Sequence, residues 1–147
     1  MQAWINVGSV DNFEVLRKRG FDLSPFKASR EKQSSEMRPG DRIVYYLTKD
    51  VLFGGVVEVT GEMFEDTSDI GLRSDGKPGE DYPYRIATKP VVIAKAGNYI
   101  DVREITDLLD KTRSFGPKKL GMCFRGNLHR ISEGDLKTIE GLLKKRA

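Results

Sequence analysis

The chain has 147 residues, of which 38% are hydrophobic and 32% charged, and a formal net charge of +3. These values exclude a mostly disordered chain and predict one globular domain across residues 1–147. The sequence has no apolar stretch of ~18 residues, no signal peptide and no second cysteine to pair with Cys123. We therefore expect a cytoplasmic protein that makes no contact with membranes.

Charge is distributed unevenly along the sequence. Residues 17–32 and 111–130 each contain six Lys or Arg side chains, and the second stretch contains no Asp or Glu. Residues 62–81 reverse the balance, with seven acidic and two basic side chains. This polarity is typical of a protein with one anion-facing side, although a set of solvated faces would show the same pattern.

The N-terminal quarter predicts a strand, a helix and a loop. Residues 4–7 alternate as a short strand. Asp11 is the expected cap of a helix, with Glu14 completing a capping box and Gly20 ending the helix. Residues 21–37 are polar, basic and irregular, so we expect a long loop or a short helical turn, and loops of this length are often functional or mobile.

A β-hairpin is expected in the middle of the chain. Residues 42–47 and 52–59 are rich in β-branched and aromatic side chains and flank a short turn. Gly54 and Gly55 weaken the second strand. The pair therefore indicates a bulge, a barrel corner or the close approach of a ligand.

The second half of the chain combines strands with helical stretches. Residues 66–81 form a polar excursion. Residues 84–88 and 91–94 predict strand, and Pro90 between them fits only an edge or a bulge. Residues 100–110 have apolar side chains at helical spacing.

Near the C-terminus, residues 120–124 predict a strand and 125–127 a turn. Ser132 is the expected cap of a final helix. Because strands and helices do not alternate strictly, the predicted fold class is α+β, with a curled antiparallel or mixed sheet closed by helices. The buried stripe of the final helix is expected to contain Leu136, Ile139, Leu142 and Leu143.

The residue inventory argues against the common catalytic and metal centres. One cysteine and one histidine cannot form a Cys/His zinc site, and the sequence has no nucleophile elbow, P-loop or dinucleotide fingerprint. Cys123 and His129 could pair as nucleophile and base, but Cys123 lies in an apolar run where a buried thiol is the commoner role. We therefore expect no enzyme activity, no metal and no cofactor.

Aromatic and basic side chains are interleaved, as a base-stacking site requires. Bases stack on aromatic rings while cations hold the phosphates. Tyr45 and Tyr46 are adjacent on a predicted strand and must point to opposite faces, so one of them faces solvent or a cleft. Taken singly, each aromatic ring is more often part of a core than of a site.

Short motifs along nearly the whole chain resemble those of the EVE domain family. No single motif is diagnostic, and the resemblance rests on their order and spacing. The motifs are WINV (residues 4–7), RPGDRIVYY (38–46), FGGVVEV (53–59), FED (64–66), YPYR (82–85), KPV (89–91), GMCFRG (121–126) and ISEGDL (131–136).

The resemblance implies a PUA-like fold, which is a small, mostly antiparallel β-barrel with surrounding helices, related to the ASCH and YTH domains. Members of this group bind RNA or modified bases, so the implied partner is DNA or RNA, possibly modified. The pocket would lie between the first strand, the loop after it and the central strands. The candidate ligand-binding residues are Trp4, Asn6, Ser9, Phe26, Tyr45, Tyr46, Phe53, Pro83, Tyr84 and Arg85, and the candidate backbone contacts are Lys27, Arg30, Lys118, Lys119 and Arg125.

Two positions depart from the family pattern. A Trp-Gly pair is common after the first helix, where this chain has Phe21 and Asp22. A Trp is also common before the Gly-Met pair, where this chain has Leu120. The change removes a stacking plane unless Phe21, Phe26 or Trp4 replaces it.

The leading hypothesis is a non-enzymatic reader that stacks a modified or flipped base and hydrogen-bonds its edge through Asn6 and Ser9. One alternative is a binder of a small molecule or nucleotide metabolite that uses the same pocket. Another is an enzyme acting on a modified base, with Asp41 or Glu58 as acid or base. The last is a protein-interaction module. The sequence leaves the oligomeric state open.

Overall fold

The computed structural model describes residues 1–73, 82–126 and 128–147. Within these ranges the strands are β1 (Ala3–Gly8), β2 (Leu23–Phe26), β3 (Arg42–Leu47), β4 (Leu52–Glu65), β5 (Tyr84–Ile93), β6 (Ile100–Asp101) and β7 (Leu128–Ile131). The α-helices are α1 (Val10–Lys18), α2 (Glu31–Ser35), α3 (Asp110–Arg113), α4 (Leu120–Cys123) and α5 (Glu133–Lys144). Short 3-10 turns cover Ala28–Arg30, Val102–Glu104 and Thr106–Leu108.

The strands form one mixed sheet in the order β2-β5-β4-β3-β1-β7, with β6 paired to β4. β1 pairs with β3 in parallel, and the other described pairs are antiparallel. The predicted α+β class with a mostly antiparallel, mixed sheet is confirmed. Because β2 and β7 end the hydrogen-bonded path, the described strands do not close into a barrel, and the expected barrel is not confirmed.

Alternation along the strands divides the core between the two faces of the sheet. Ile5 and Tyr46 point to a face that packs against α5, which we call the α5 face. Trp4 and Tyr45 point to the opposite face, which packs against α1 and which we call the α1 face. The two adjacent tyrosines therefore lie on opposite sides of β3, as strand geometry requires.

The sheet curls around the α1 face and brings unpaired strands together. Asn6 of β1 donates from Nδ2 to Ser24 Oγ of β2 over 3.3 Å, although β1 and β2 are not neighbours in the sheet. At the other side of the curl, Arg130 of β7 donates to Glu36, which follows α2, over 2.7 Å. These contacts bring β1 towards β2 and β7 towards the end of α2.

Of the three alternatives that the glycine pair indicates, the structure contains the bulge. The ladder between β3 and β4 shifts register and leaves Gly54 as the extra residue. A Cβ on Gly54 would lie 2.9 Å from Cζ of Phe13, and a Cβ on Gly55 would lie 2.7 Å from Cδ1 of Ile93. The glycines therefore allow α1 and β5 to approach β4 closely.

The start of α1 differs from the prediction. The helix begins at Val10, and Ser9 is its N-cap, with its Oγ accepting from the backbone N of Asn12 over 3.1 Å. The predicted cap, Asp11, lies in the first turn, where its charge is favourable to the helix dipole. Gly20 has a φ of 73° just after the helix, as expected.

Three further sequence predictions are wrong in part. Within residues 21–37, α2 (residues 31–35) is the short helical turn given as one of the two alternatives, but residues 23–26 pair with β5 as an edge strand that the sequence does not predict. Residues 120–124 contain a helical turn rather than a strand, since the chain buries positions 120 and 123 and exposes the two between them. Residues 100–110 form a short strand and two 3-10 turns instead of one helix.

The C-terminal helix and the break at Pro90 follow the predictions. Ser132 caps α5 by accepting from the backbone N of Asp135 over 3.1 Å. Pro90 lies at a register shift between β4 and β5, so the two predicted segments are one bulged strand. Leu136, Ile139 and Leu143 are buried, and Leu142 is partly buried against them.

Two predicted segments lie partly outside the described residues. They are positions 74–81 of the polar excursion and position 127 of the turn. In the described part of the chain, no helix has the length and apolar character needed to cross a membrane.

Candidate functional site

A cavity of about 450 Å³ opens between α1, the ends of β1 and β2, and the segment after α4. We call it the α1 cavity. Its volume lies within the range of ~300–1,000 Å³ that is usual for small-molecule sites. It exists because the curl of the sheet leaves room between the ends of β1 and β2, while α1 closes one side.

A hydrogen-bonded group of three buried side chains, Tyr45, Asn6 and Ser24, lies in and behind the cavity wall. Tyr45 donates its hydroxyl to Ser24 Oγ over 2.8 Å, and Asn6 Nδ2 donates to the same oxygen over 3.3 Å. Tyr45 and Asn6 line the cavity, whereas Ser24 lies behind them with none of its surface exposed. Burial strongly raises the pKa of Tyr45, so its hydroxyl is a neutral donor at physiological pH.

Aromatic rings form the apolar part of the wall. Phe13, Phe26 and Phe124 are each at most 4% exposed, so they present small areas to the cavity, whereas Tyr82 is half-buried. Phe124 stacks on Tyr46 at a ring-centroid distance of 4.1 Å and an interplanar angle of 18°. Tyr46 is thus outside the cavity and supports a ring that lines it.

Four basic side chains line the cavity, and its described lining contains no Asp or Glu. Of these four, Arg73 pairs with Asp69 over 3.7 Å. Arg30 donates to the neutral amide of Gln33 over 3.4 Å, and its buried Nε has no hydrogen-bond partner among the described residues. Neither Arg30 nor Arg125 is ion-paired with a described carboxylate. The cavity is therefore electropositive and suited to an anionic group. The four residues are Lys27, Arg30, Arg73 and Arg125.

Seven of the predicted site residues meet at this cavity, and the others lie elsewhere. Phe53 is fully buried in the α5 face. Tyr46 lies in the same face with 4% of its surface exposed. Lys118 and Lys119 are exposed and lie outside the lining, as do Pro83 and Tyr84. The residues that do line the cavity are Asn6, Ser9, Phe26, Lys27, Arg30, Tyr45 and Arg125.

Trp4 and Arg85 lie outside the cavity because each is engaged in the fold. The Trp4 indole donates from Nε1 to Asp41 Oδ2 over 3.2 Å, and the guanidinium of Arg130 lies 4.8 Å above its ring. Arg85 is 2% exposed and donates to Ser68 Oγ over 3.0 Å, while its Nη1 lies 3.4 Å from a carboxylate oxygen of Asp66.

The residues considered for acid–base chemistry are also engaged outside the cavity. Asp41 is buried and accepts from the backbone N atoms of Gln2 (2.9 Å) and Arg38 (3.1 Å), besides the indole of Trp4. Glu58 forms ion pairs with Arg42 over 3.2 Å and with Lys89 over 3.4 Å. These contacts stabilise the start of β3 and the middle of the sheet.

The pair considered for nucleophilic chemistry is electrostatically unfavourable. Burial raises the pKa of the Cys123 thiol, and burial, reinforced by the charge of Lys111, lowers the pKa of His129. Both shifts favour neutral side chains over a thiolate–imidazolium pair. In the described ranges, no three His, Cys, Asp or Glu side chains cluster as a metal site requires.

Six residues of the site are absent from the predicted set, namely Asn12, Phe13, Ser24, Arg73, Tyr82 and Phe124. Ser24 has no local signal, because the sequence LSPF does not predict β2 and so does not show which of its side chains face the curl. Asn12 fixes the wall by hydrogen bonds to the backbone of Arg73 and to the hydroxyl of Tyr82. Asn12 lies on α1 one helical turn after the cap Ser9, so helix geometry could have placed it beside Ser9 at the site.

Comparisons with known proteins agree on the fold over nearly the whole chain. A family model described as the EVE domain matches residues 2–142. A UPF0310 protein of Pyrococcus abyssi is 26% identical over 151 residues, which cover 97% of this chain and 100% of the relative.

Two solved structures have a similar fold at low sequence identity. One is the YTH domain of the MRB1 protein of Zygosaccharomyces rouxii in complex with N6-methyladenosine RNA, with a TM-score of 0.66, 15% identity and coverage of 99% of this chain and 88% of that one. The other is human THYN1 in complex with DNA that contains 5-methylcytosine, with a TM-score of 0.59, 11% identity and full coverage of both chains.

Proposed function

The chain belongs to the EVE domain family, and from this and the cavity we propose that it is a non-catalytic module that binds DNA or RNA. In this proposal a modified or flipped base enters the α1 cavity, and the flanking phosphates contact the basic side chains around it. Base flipping is a general way to bring one base of a strand into a pocket.

The observation that carries the proposal is the charge of the cavity. Its described lining combines four basic side chains with no carboxylate, although 22 of the 147 residues are acidic. A nucleotide needs this combination, because its base is flat and largely apolar while its phosphate is anionic. Arg30 and Arg125 are the best placed for the phosphate, since neither has a described carboxylate partner.

The inner wall suits a base better than a flexible chain. Rings of Phe13, Phe26 and Phe124 provide apolar contact, and Asn6 and Tyr45 add polar atoms between them. The half-buried ring of Tyr82 replaces the stacking plane that the family often supplies with Trp. Stacking on such a ring contributes about 1–3 kcal/mol per base.

The structural neighbours support the proposal through what they bind. The YTH domain of Zygosaccharomyces rouxii was solved with N6-methyladenosine RNA and human THYN1 with DNA containing 5-methylcytosine. Both ligands are nucleic acids with one methylated base. We therefore propose a methylated or otherwise modified base as the ligand class, in either nucleic acid.

A salt titration against short oligonucleotides tests the proposal. Fluorescence anisotropy measures binding of single-stranded and duplex DNA and RNA, each with one modified or unmodified base. The titrations are repeated at salt concentrations from about 25 to about 300 mM. The expected result is tighter binding of at least one modified oligonucleotide, with affinity that falls as salt rises. Absence of binding at low salt across the panel would contradict it, and salt-independent capture of a free nucleoside would favour a metabolite binder.

A further inference from the structure

Ser24 has no exposed surface, yet two cavity-lining side chains meet on its hydroxyl oxygen. Tyr45 reaches this oxygen from β3 at 2.8 Å and Asn6 from β1 at 3.3 Å. Ser24 itself lies on β2, which is paired with neither of those strands. Three strands are therefore coupled through one atom behind the cavity wall.

The two contacts determine how Asn6 is oriented. A serine oxygen has two lone pairs, and both are used when it accepts from Tyr45 and from Asn6. Because Nδ2 of Asn6 points at Ser24, Oδ1 lies at the other end of the same planar amide. Among the described residues no donor hydrogen-bonds this Oδ1, and Asn6 lines the cavity with 9% of its surface exposed. Ser24 therefore sets the orientation of a cavity-lining acceptor to which no described residue donates.

We propose that Ser24 is a positioning residue that holds Asn6 with its acceptor towards the ligand, so that the cavity selects a base with an N–H donor on its edge. This inference rests on the proposed function. A buried acceptor left unpaired by the wrong ligand is costly, which is how a polar site rejects an analogue that lacks one N–H. Tyr45 contributes indirectly, because its neutral hydroxyl occupies the second lone pair of Ser24.

Two pairs of bases that differ in their exocyclic N–H donors test this effect, one by loss of the amino group and the other by replacement of the last amino hydrogen with a methyl group. The first pair is 5-methylcytosine and 5-methylpyrimidin-2-one, which is the same base without its exocyclic amino group. The second pair is N6-methyladenine and N6,N6-dimethyladenine, which has no amino hydrogen. Each base is placed in the same oligonucleotide, and the ratio of the two dissociation constants is measured. The wild-type protein is expected to prefer the N–H form of at least one pair by about 3- to 10-fold, the range of one neutral hydrogen bond.

The variant that tests the positioning role is Ser24→Ala, and its matched control is Thr88→Val. Thr88 is also buried and donates its hydroxyl to the backbone O of Phe21 over 2.7 Å, but it does not line the cavity. We expect Ser24→Ala to bring the ratio close to 1 and Thr88→Val to leave it unchanged, although both lower the melting temperature. A merely structural role would lower affinity for both bases equally and leave the ratio intact, which would overturn the proposal.

Two further outcomes keep this inference distinct from the proposed function. If wild-type protein binds both members of each pair equally, the base still enters the cavity but Asn6 does not select it, and the inference is wrong. If no oligonucleotide binds at low salt, the proposed function itself fails. Should Ser24→Ala not fold, Ser24→Cys gives the same comparison, because a thiol is a weaker acceptor and should yield an intermediate ratio.

Discussion

The side-chain amide of Asn12 forms hydrogen bonds with both the backbone N and the backbone O of Arg73. Its Oδ1 accepts from the backbone N of Arg73 over 2.8 Å, and its Nδ2 donates to the backbone O of the same residue over 2.6 Å. One side chain on α1 thus replaces a strand partner for a segment 61 residues away. Both residues line the α1 cavity, so this pairing fixes one of its walls.

The first prediction concerns this wall. Asn12→Ala removes both hydrogen bonds, each of which contributes about 0.5–1.5 kcal/mol, and should release the segment around Arg73. We expect weaker oligonucleotide binding, mainly through faster dissociation, and faster hydrogen exchange at the backbone amide of Arg73. Stopped-flow binding and exchange mass spectrometry measure these changes.

The control for this prediction is Asn98→Ala. Asn98 also contacts one arginine at both ends of its amide, with Nδ2 at 3.5 Å from the backbone O of Arg146 and Oδ1 at 3.4 Å from its Nη1. It lies outside the cavity lining, so its loss should leave binding unchanged. Equal effects of the two variants on dissociation would contradict the role assigned to Asn12.

Local patterns predicted the parts of the fold that local chemistry determines. The strands around Tyr45 and Val56, the glycine bulge and the cap at Ser132 all follow from alternation, glycine placement or capping residues. β2 was missed because its sequence, LSPF, contains Pro25 and is stabilised by pairing with a strand about 60 residues later. Pairing at such separation is invisible to a pattern of neighbouring residues.

The site was predictable only in part for the same reason. Asn6 and Tyr45 were found from the resemblance and their strands, and they do line the cavity. Ser24 could not be assigned, because its role depends on a curl that brings β2 across to β1. Lys118 and Lys119 belong to the basic stretch in the sequence, but among its described basic side chains only that of Arg125 lines the cavity. The distribution of charge along the chain therefore predicted that the site is positively charged better than it predicted which residues line it.

The second prediction separates the cavity cations from the rest of the basic surface. Arg30→Gln and Arg125→Gln should each weaken oligonucleotide binding and reduce the slope of log affinity against log salt by about 0.7–0.9, the effect of one phosphate contact. Lys118→Gln changes the net charge by the same amount at an exposed position outside the lining. If Lys118→Gln reduces the slope as much as Arg30→Gln does, the phosphates do not lie at the cavity.

The third prediction concerns the close approach of α1 to β4. Gly54→Ala places a Cβ 2.9 Å from Cζ of Phe13 and 3.0 Å from Cδ1 of Leu47, inside a packed core. Overpacking of this kind destabilises by about 1–3 kcal/mol. Urea unfolding should show a lower free energy of unfolding with an unchanged m-value.

Gly141→Ala is the matched control for the glycine substitution. Gly141 lies within α5, and a Cβ there would meet nothing within 4 Å. Alanine is favoured over glycine inside a helix by up to about 1 kcal/mol, so this variant should be more stable than the wild type. Destabilisation by Gly141→Ala, or none by Gly54→Ala, would show that the bulge does not depend on the absence of a side chain.

The last prediction is a loss of stability in mild acid that depends on His129. Burial lowers the pKa of this imidazole below its ordinary value of 6.5, and the nearby charges of Lys111 and Arg30 act in the same direction. Hydrogen bonds to the backbone carbonyls of Phe124 and Gly126 oppose the shift without cancelling it. The folded protein therefore binds a proton at His129 less readily than the unfolded chain does.

The sign of the effect follows from proton linkage. Well above pH about 6.5 His129 is neutral in both states and contributes no pH dependence. As the pH falls through the unfolded pKa, the unfolded chain takes up the proton first, so the free energy of unfolding decreases until the pH reaches the folded pKa. His129→Gln cannot bind this proton, so its free energy of unfolding should fall less than that of the wild type between about pH 7.5 and about pH 5. Urea unfolding of both proteins at four pH values measures the difference, because carboxylates that titrate in the same range contribute equally to each. Parallel stability curves for wild type and His129→Gln would mean that the buried imidazole is not responsible.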